Sequence, residues 1–249
     1  MKSVDGCVAV VTGAAGGIGL AIASALATGG ARVAMTDIDS SAVIERAIAL
    51  RATGADVEAL ELDVRDPEAV ERVADNVVER FGALHIAVNN AGIVNGGVTW
   101  ELPLDEWHRL LDVNLWGVIH GVRAFVPRIL ATGAEGHVVN IASMAAVLPH
   151  SSLGPYTVAK HGVLALSDVL RADLDAIDAP VGVSVVFPGM IRTAMNPIGT
   201  TEPEVVAANV LDAIRRRRPY VFTDHDATEA VNARLEALRA ARGDVVDAT

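Results

Sequence analysis

The chain has 249 residues, 51% of them hydrophobic, and carries a formal net charge of −11 at pH 7. So acidic a protein is expected to bind neither nucleic acid nor an anionic membrane surface, because both repel negative charge. The single cysteine, Cys7, excludes an intramolecular disulfide and a cysteine metal cluster, which favours a reducing, cytoplasmic location.

Strand-like and helix-like stretches alternate along the chain, and none of the apolar runs reaches transmembrane length. No signal peptide is evident, and the seven histidines lack metal-ligand spacing, so we predict no metal site. Strands are predicted at residues 7–12, 32–37, 57–64, 84–89, 137–141, 182–187 and 220–223. Helices are predicted at residues 20–28, 41–53, 67–81, 104–130, 154–177, 204–218 and 227–242. The alternation predicts one α/β domain with a doubly wound parallel sheet of about seven strands flanked by helices.

A glycine-rich turn joins the first strand to the first helix and reads Gly13-Ala-Ala-Gly16-Gly17-Ile18-Gly19. Glycines let a backbone approach a pyrophosphate closely, and a helix N-terminus supplies free N–H groups. The spacing is GxxxGxG rather than the more familiar GxGxxG. An ordinary glycine turn is the alternative, but the strand and helix on either side favour a dinucleotide site.

Asp37 ends the second predicted strand, eighteen positions after Gly19. An acidic residue there is placed to bind the ribose hydroxyls of NAD and to repel the extra phosphate of NADP. Neither the glycine turn nor residues 38–40 contain an arginine or lysine that would receive that phosphate. We therefore predict NAD as the cofactor. The alternative role for Asp37 is to cap the following helix, although Asp39 or Ser40 serves that purpose equally well.

Three further positions add to the predicted cofactor site. Asp63 follows the third strand and is placed to contact an adenine edge, unless it only closes a turn. Asn90-Ala91-Gly92 follows the fourth strand and offers small residues against which a cofactor can lie. Asn114 is a polar residue in the mostly apolar run 110–116, so it needs partners there, whether as a core residue or as part of a site.

Tyr156 and Lys160 are four residues apart in a predicted helix, which places both side chains on one face. The chain has only two lysines and two tyrosines, so this pair is conspicuous. A nearby ammonium favours the phenolate and would lower the pKa of Tyr156, which suits a general acid or base. Ser143, which follows the fifth strand, would hold the same substrate oxygen. Taken alone, the pair is also compatible with an ordinary helix surface.

These motifs, taken in order, resemble the short-chain dehydrogenase/reductase family in its 250-residue branch. They are Thr12-Gly13-Ala-Ala-Gly16-Gly17-Ile18-Gly19, Asp63-Val64, Asn89-Asn90-Ala91-Gly92, Asn114, Ser143, Tyr156-Thr-Val-Ala-Lys160, and Pro188-Gly189 followed by Thr193. The resemblance implies one Rossmann-type domain over residues 1–249, with a cofactor half at about 1–140 and a catalytic and substrate half at about 141–249. One departure is Ala159, where many members have serine.

The resemblance also implies a role for each matching residue. Tyr156 would be the general acid/base, Ser143 would hold the substrate oxygen, and Lys160 would lower the tyrosine pKa and bind the nicotinamide ribose. Asn114 would anchor a water that links Lys160 to solvent. The implied cofactor contacts are Gly13, Gly17, Ile18, Gly19, Asp37, Asp63, Val64, Asn90, Ala91, Gly92, Tyr156, Lys160, Pro188, Gly189, Ile191 and Thr193.

The substrate is expected to be a hydrophobic or neutral secondary alcohol or ketone, because the candidate pocket is mainly apolar and lacks a cationic clamp. Its predicted contacts are Ser143, Ala145, His150, Tyr156, Met190 and Met195, although a loop histidine such as His150 can equally face water. Family resemblance further implies a homodimer or homotetramer that forms through the long helices.

Three alternatives stay open at this point. An NADPH-dependent 3-oxoacyl reductase conflicts with Asp37 and the missing basic residues. A sugar-nucleotide epimerase of a longer related branch needs more chain after Thr193 than is present here. A cofactor-sensing or scaffold protein without turnover would not need the intact set of Ser143, Tyr156, Lys160 and Asn114.

Overall fold

The computed structural model describes residues 1–223 and 228–243 and has one seven-stranded parallel sheet. The strands follow the order β3-β2-β1-β4-β5-β6-β7 across the sheet. Their bounds are β1 Val8–Thr12, β2 Arg32–Asp37, β3 Val57–Glu61, β4 Ile86–Asn89, β5 Gly136–Ile141, β6 Val181–Phe187 and β7 Tyr220–Phe222. The predicted doubly wound sheet is thereby confirmed, whereas the division into two functional halves stays a prediction.

The described residues form eight α-helices, and six of them pack on the faces of this sheet. Their bounds are α1 Gly17–Thr28, α2 Ser40–Arg51, α3 Pro67–Phe81, α4 Leu104–Leu111, α5 Gly117–Leu130, α6 Gly154–Ala176, α7 Pro203–Arg216 and α8 Thr228–Gly243. A π-helical turn, Asp112–Trp116, joins α4 to α5, and a short 3₁₀ turn, Met144–Ala146, follows β5. The helices α1, α2 and α7 pack on one face of the sheet, and α3, α5 and α6 pack on the other.

The core strands are rich in valine and are buried on both faces, as a helix-covered parallel sheet requires. Consecutive strands run outward in one direction from β1 and in the other from β4. The two neighbouring strands β1 and β4 therefore form the point where the winding direction reverses. Ligands of such sheets bind outside the carboxyl ends of the strands at this point.

Several predicted boundaries differ from the structure. The first helix begins at Gly17 rather than at residue 20, because the glycine turn itself enters the helix. The third strand ends at Glu61 rather than at residue 64, since its pairing with β2 stops there and the chain turns at Val64 and Arg65. The predicted helix 104–130 is interrupted by the π turn. The predicted start of the last helix, Ala227, lies outside the described residues.

Two kinds of feature are absent from the described residues. No helix there is long and apolar enough to cross a membrane. No group of three or more His, Cys, Asp or Glu side chains in that part of the chain is arranged to hold a metal ion.

His137 on β5 is a buried polar group of the core. Its Nε2 lies 2.8 Å from Ser184 Oγ, which donates its own proton to the carbonyl oxygen of Arg218 at 2.6 Å. Ser184 must therefore accept a proton from Nε2, so Nδ1 carries a lone pair, and this atom has no partner among the described residues. Burial, with a smaller contribution from the charge of Arg217, lowers the pKa of His137 from 6.5 to about 3.

This depressed pKa predicts an acid-sensitive fold. Below pH 6.5 the unfolded chain takes up a proton that the buried imidazole does not accept, so stability is complete above that pH and falls towards pH 3. We expect a loss of roughly 1 kcal/mol per pH unit from this group. His137→Gln should flatten that part of the curve of unfolding free energy against pH, as measured by urea denaturation.

The matched control is His150→Gln, which changes an exposed histidine and should leave the slope as in the wild type. An equal slope for His137→Gln and the wild type would contradict the assignment.

Candidate active site

A cavity of about 510 Å³ opens at the carboxyl ends of the strands. It collects residues from the glycine turn, the ends of β2 and β3, the segment after β4, the π turn, α6 and the segment after β6. Its lining includes Gly13, Gly17, Ile18, Asp37, Asp63, Val64, Asn90, Ala91, Gly92, Asn114, Tyr156, Lys160, Thr193 and Met195, all predicted from the sequence. Residues far apart in the chain therefore meet at one place.

The glycine turn is tied to the segment after β4 by hydrogen bonds in both directions. Thr12 Oγ1 accepts the backbone N–H groups of Asn90 and Ala91 at 2.9 and 3.0 Å. The Asn90 side chain donates to the carbonyl oxygens of Thr12 and Gly13 at 2.8 and 3.1 Å. Gly13 has a φ of +66°, and a Cβ at this position would lie 2.9 Å from the Ala91 Cα. Asn90 thus shapes the turn with its side chain.

The N-terminus of α1 faces the same cavity and has the features of an anion site. Gly16 provides no side-chain cap, and the first turn contains no acidic residue. Gly17 has a φ of +52°, and a Cβ there would lie 3.0 Å from the Thr193 methyl carbon. The backbone N–H groups of this first turn therefore remain available to a phosphate, and the helix dipole favours the negative charge. These residues fit the pyrophosphate of a dinucleotide.

Asp37 lies beside the glycine turn with its carboxylate held by backbone N–H groups. Oδ2 accepts from Ala15 N at 3.0 Å, and Oδ1 accepts from Asp39 N at 3.1 Å. The cap of α2 is Asp39, whose carboxylate accepts from Ala42 N at 3.0 Å. The alternative role of Asp37 as a helix cap is therefore wrong. Each Asp37 oxygen keeps acceptor capacity that two ribose hydroxyls can use.

Asp63 also lines the cavity, but its carboxylate is paired with Arg65. The guanidinium Nη2 lies 2.6 Å from Asp63 Oδ2, and Nε lies 3.0 Å from both carboxylate oxygens. This hydrogen bonding lowers the pKa of Asp63. The Asp63 carboxylate, which was predicted to contact an adenine edge, therefore already has a hydrogen-bond partner.

Asn114 lies in the π turn and is fully buried. Its Oδ1 accepts from Ile93 N at 3.1 Å, and its Nδ2 donates to the carbonyl oxygens of Ile93 and Leu110 at 2.9 Å each. The side chain thus pairs with both polar groups of one backbone residue, as a neighbouring strand would. A π turn adds one residue to a helix, and such turns are frequent at functional sites.

Lys160 is a buried cation at the floor of the cavity. Its Nζ donates to the carbonyl oxygen of Ile141 at 2.9 Å and lies 5.6 Å from the centre of the Tyr156 ring. Burial lowers the pKa of Lys160 to about 8. The proton on this side chain is therefore held much less tightly than on a lysine in water.

Tyr156 lines the same cavity as Lys160, with the Ser143 hydroxyl close to its phenol. Burial raises the pKa of Tyr156, and the nearby Ser143 hydroxyl offsets only part of that rise. The loss of water around the phenol sets this direction, and the predicted lowering of the Tyr156 pKa by Lys160 stays a prediction. Ser143 Oγ is itself positioned by the Ala145 N–H at 3.1 Å.

A chain of buried side chains fixes α6, the helix that carries Tyr156 and Lys160, against the sheet. Asn89 Nδ2 donates to Asn140 Oδ1 at 2.8 Å, and Asn140 Nδ2 donates to Ser167 Oγ at 3.0 Å. Ser167 in turn donates to the Val163 carbonyl oxygen at 2.7 Å. The ends of β4 and β5 and the catalytic helix are thus held in one relative position. The sequence analysis missed this role for Asn140 and Ser167.

Some predicted residues do not reach the cavity surface. Gly19 is buried where α1 meets the glycine turn, and Ala145 is a buried residue of the 3₁₀ turn. His150 is exposed, with Nδ1 2.9 Å from the carbonyl oxygen of its neighbour Ser151, so the structure does not bring it to the site. Pro188, Gly189, Met190 and Ile191 form the segment just before the lining residue Thr193. Their predicted contacts stay predictions.

The structure adds two arginines to the cavity that the sequence analysis missed. Arg65 pairs with Asp63, and Arg109 on α4 pairs with Glu106 at 2.8 Å. Glu106 also accepts from Asn95 Nδ2 at 2.7 Å. Both arginines have a carboxylate partner, so the expectation that the substrate pocket lacks a cationic clamp stays a prediction. Only the spacing Asp63-Val-Arg65 and the (i, i+3) pair on α4 hinted at these contacts.

Comparison with known proteins bears directly on this arrangement. The family model described as short chain dehydrogenase matches residues 7–203. A 1-deoxy-11-beta-hydroxypentalenate dehydrogenase of Streptomyces avermitilis is 43% identical over 231 residues, which are 88% of this chain and 85% of the relative. The enzyme of the same name from Streptomyces exfoliatus is 40% identical over 232 residues, or 88% of this chain and 83% of that one.

Solved structures agree with the sequence relatives. A short-chain dehydrogenase/reductase of Burkholderia phymatum in complex with NAD matches with a TM-score of 0.94 at 32% identity, covering 100% of both chains. A putative short-chain dehydrogenase of Novosphingobium aromaticivorans matches with a TM-score of 0.91 at 35% identity, covering 100% of this chain and 90% of that one. This chain therefore belongs to the short-chain dehydrogenase/reductase family, whose members are nicotinamide-dinucleotide oxidoreductases acting on alcohols.

Proposed function

We propose that this protein interconverts a largely apolar secondary alcohol and its ketone, uses NAD in preference to NADP, and employs Tyr156 as the general acid/base. The observation that carries the proposal is the meeting of Tyr156 and Lys160 with the glycine turn and Asp37 in one cavity, with Ser143 close to the phenol. The bound dinucleotide supplies the hydride acceptor or donor.

The chain's own residues perform the proton chemistry. The Ser143 hydroxyl, oriented by the Ala145 N–H, holds the substrate oxygen close to the Tyr156 hydroxyl. In oxidation Tyr156 takes the alcohol proton, and in reduction it returns a proton to the carbonyl oxygen. The ammonium of Lys160 at 5.6 Å from the ring favours the phenolate when Tyr156 is charged.

Proton exchange with solvent is assigned to Lys160 and Asn114. The lowered pKa of Lys160, about 8, suits a group that both gains and loses a proton near neutral pH. In the structure the Asn114 amide is paired with Ile93, so its direct role is to hold the backbone beside Lys160. The water that would connect Asn114 to Lys160 stays a prediction.

The proposed preference for NAD rests on the charge at the end of the cavity that would hold the adenine base and its ribose. Among the described lining residues, Asp63 and Arg65 offset each other, and Glu106 offsets Arg109. The Asp37 carboxylate is held only by backbone N–H groups, so its charge is not offset by a cation. A 2′-phosphate beside it would meet repulsion of a few kcal/mol at an effective dielectric near 20.

The substrate proposal follows from the side chains around the site. Val94, Met190, Met195 and Ile198 are large apolar residues that stay exposed in the segments after β4 and β6. Relatives named 1-deoxy-11-beta-hydroxypentalenate dehydrogenase act on a hydroxylated compound, which supports an alcohol substrate here.

Oligomerisation is proposed on similar grounds. Trp116 at the end of the π turn and Val158 and Val169 on α6 are about half exposed. An apolar surface of this kind favours a homodimer or homotetramer that covers these helices. The number of subunits and the cytoplasmic location stay predictions.

Tyr156→Phe is the direct test of the acid/base assignment. We expect turnover of a panel of secondary alcohols with NAD⁺ to fall about 10²- to 10⁴-fold, because the ring stays while the transferable proton is lost. Nicotinamide absorbance reports the rate, and titration of NADH fluorescence should show nearly unchanged binding. Tyr220→Phe is the matched control, because its hydroxyl bonds Asp168 on the exposed surface at 2.9 Å. Equal activity of the two variants would refute the assignment.

Asp37→Asn tests the cofactor preference. The wild type should use NAD⁺ at least about tenfold better than NADP⁺ in kcat/KM, and the substitution should reduce that ratio about tenfold, because the repelling charge is removed. Asp39→Asn removes a neighbouring charge and keeps a residue that caps helices well, so its ratio should equal that of the wild type. A wild type that prefers NADP⁺ would favour the 3-oxoacyl reductase instead.

The pH dependence of kcat/KM tests the proton path. Burial raises the pKa of Tyr156 and lowers that of Lys160 to about 8, so the protonated phenol predominates at neutral pH. Oxidation should therefore accelerate as the pH rises from about 6 to 9, with a change of slope near 8, whereas reduction should not accelerate. Oxidation rates that are flat or fall over this range would contradict the mechanism.

A further inference from the structure

Three N–H groups of Arg65 occupy most of the Asp63 carboxylate. Oδ1 accepts from the Arg65 backbone N–H at 2.9 Å and from Nε at 3.0 Å. Oδ2 accepts from Nε at 3.0 Å and from Nη2 at 2.6 Å. A carboxylate offers about four acceptor positions, so one neighbour, two residues along the chain, uses nearly the whole capacity of Asp63.

This pairing is strong for a partly exposed ion pair. The guanidinium approaches side-on with two nitrogens, which is the geometry that suits a carboxylate best. The charge of Asp112 in the π turn also favours protonated Arg65. Any neutral donor, such as an aromatic amino group, must therefore displace a charged and bidentate partner to reach Asp63.

The pair lies where a dinucleotide bound at Asp37 would place its base. The ends of β2 and β3 are joined by a hydrogen bond from Leu62 N to the Asp37 carbonyl oxygen at 2.8 Å. Just beyond these ends, the cavity is walled by Ile38, Leu62, Val64 and Arg65. Arg65 thus adds a planar cation to an otherwise aliphatic wall, and guanidinium groups stack well on flat aromatic faces.

We propose that Arg65 determines how this chain reads the nucleotide base: it withdraws the Asp63 carboxylate from the adenine amino group and contacts the flat face of the purine instead. The subsite consequently accepts hypoxanthine as readily as adenine. This inference rests on the proposed function, because it assumes that the cavity binds a nicotinamide dinucleotide.

The experiment compares two ligands that differ only at the purine. NADH and its deamino analogue, in which hypoxanthine replaces adenine, are titrated against the intact protein by isothermal calorimetry. We expect dissociation constants within about threefold of each other, because no free carboxylate reads the amino group. A preference for NADH larger than that would overturn the proposal without use of any variant.

Arg65→Ala supplies the second test. Removal of the guanidinium frees Asp63 to accept from the adenine amino group and to repel the hypoxanthine oxygen, so NADH should become favoured by about fivefold or more. The double variant Arg65→Ala/Asp63→Ala should lose this new preference. An unchanged ratio in Arg65→Ala would overturn the proposal.

Arg72→Ala is the matched control, because Arg72 is an exposed arginine of α3 that pairs with Asp66 at 3.5 Å and does not line the cavity. Its ratio should equal that of the wild type. Failure of NADH and NADPH alike to bind the wild type would refute the proposed function itself and this inference with it. Binding of both purine forms with a large difference would refute this inference alone.

Discussion

The four residues that follow β4 leave the sheet at the point where the winding direction reverses, and their backbone polar groups need partners other than a neighbouring strand. Side chains supply them. The Thr12 hydroxyl takes two N–H groups of this segment from one side, and the Asn114 amide takes both polar groups of Ile93 from the other. Since the same segment lies between the glycine turn and Lys160, its fixed position sets the distance between the two ends of the cavity. Thr12 and Asn114 thereby provide the hydrogen bonds that strand pairing provides in the core.

The sequence was sufficient for the fold because regular patterns specify regular elements. Valine-rich runs, glycine turns and helix-length amphipathic stretches predicted seven strands in a doubly wound sheet, and the structure has them. The sequence also predicted that most cavity residues lie close together, because the carboxyl ends of parallel strands share one edge of the sheet. It did not predict the contacts that depend on side-chain direction. The bidentate pairing of Asp63 with Arg65, the pairing of Arg109 with Glu106 and the buried chain through Asn140 have no periodic signal.

The directions of the pKa shifts at Tyr156 and Lys160 were also not predictable from composition alone. The proximity of Lys160 to Tyr156 is visible as a four-residue spacing, but burial is a property of the folded chain. Lys160 is only 3% exposed and donates a hydrogen bond to an uncharged carbonyl oxygen, so the loss of water determines the direction of its pKa shift. The same loss of water acts on the tyrosine in the opposite sense. Burial therefore brings together an acid that holds its proton tightly and a base that holds its proton loosely, which favours the neutral form of each.

The π turn at Asp112–Trp116 also affects how the helices α4 and α5 tolerate a change in chain length. Each residue of an α-helix advances the side-chain direction by about 100°, so one additional residue in a turn redirects every side chain after it. Arg109 before the turn and Val113 within it line the cavity, and after the turn Gly117 and Gly121 pack against Val64 and Asn89. These two faces have different partners and depend on that offset. A deletion of one residue within 112–116 would yield a more regular helix and yet would misalign one half of it. Length is therefore a constraint on this stretch of the chain, in addition to the identity of Asn114.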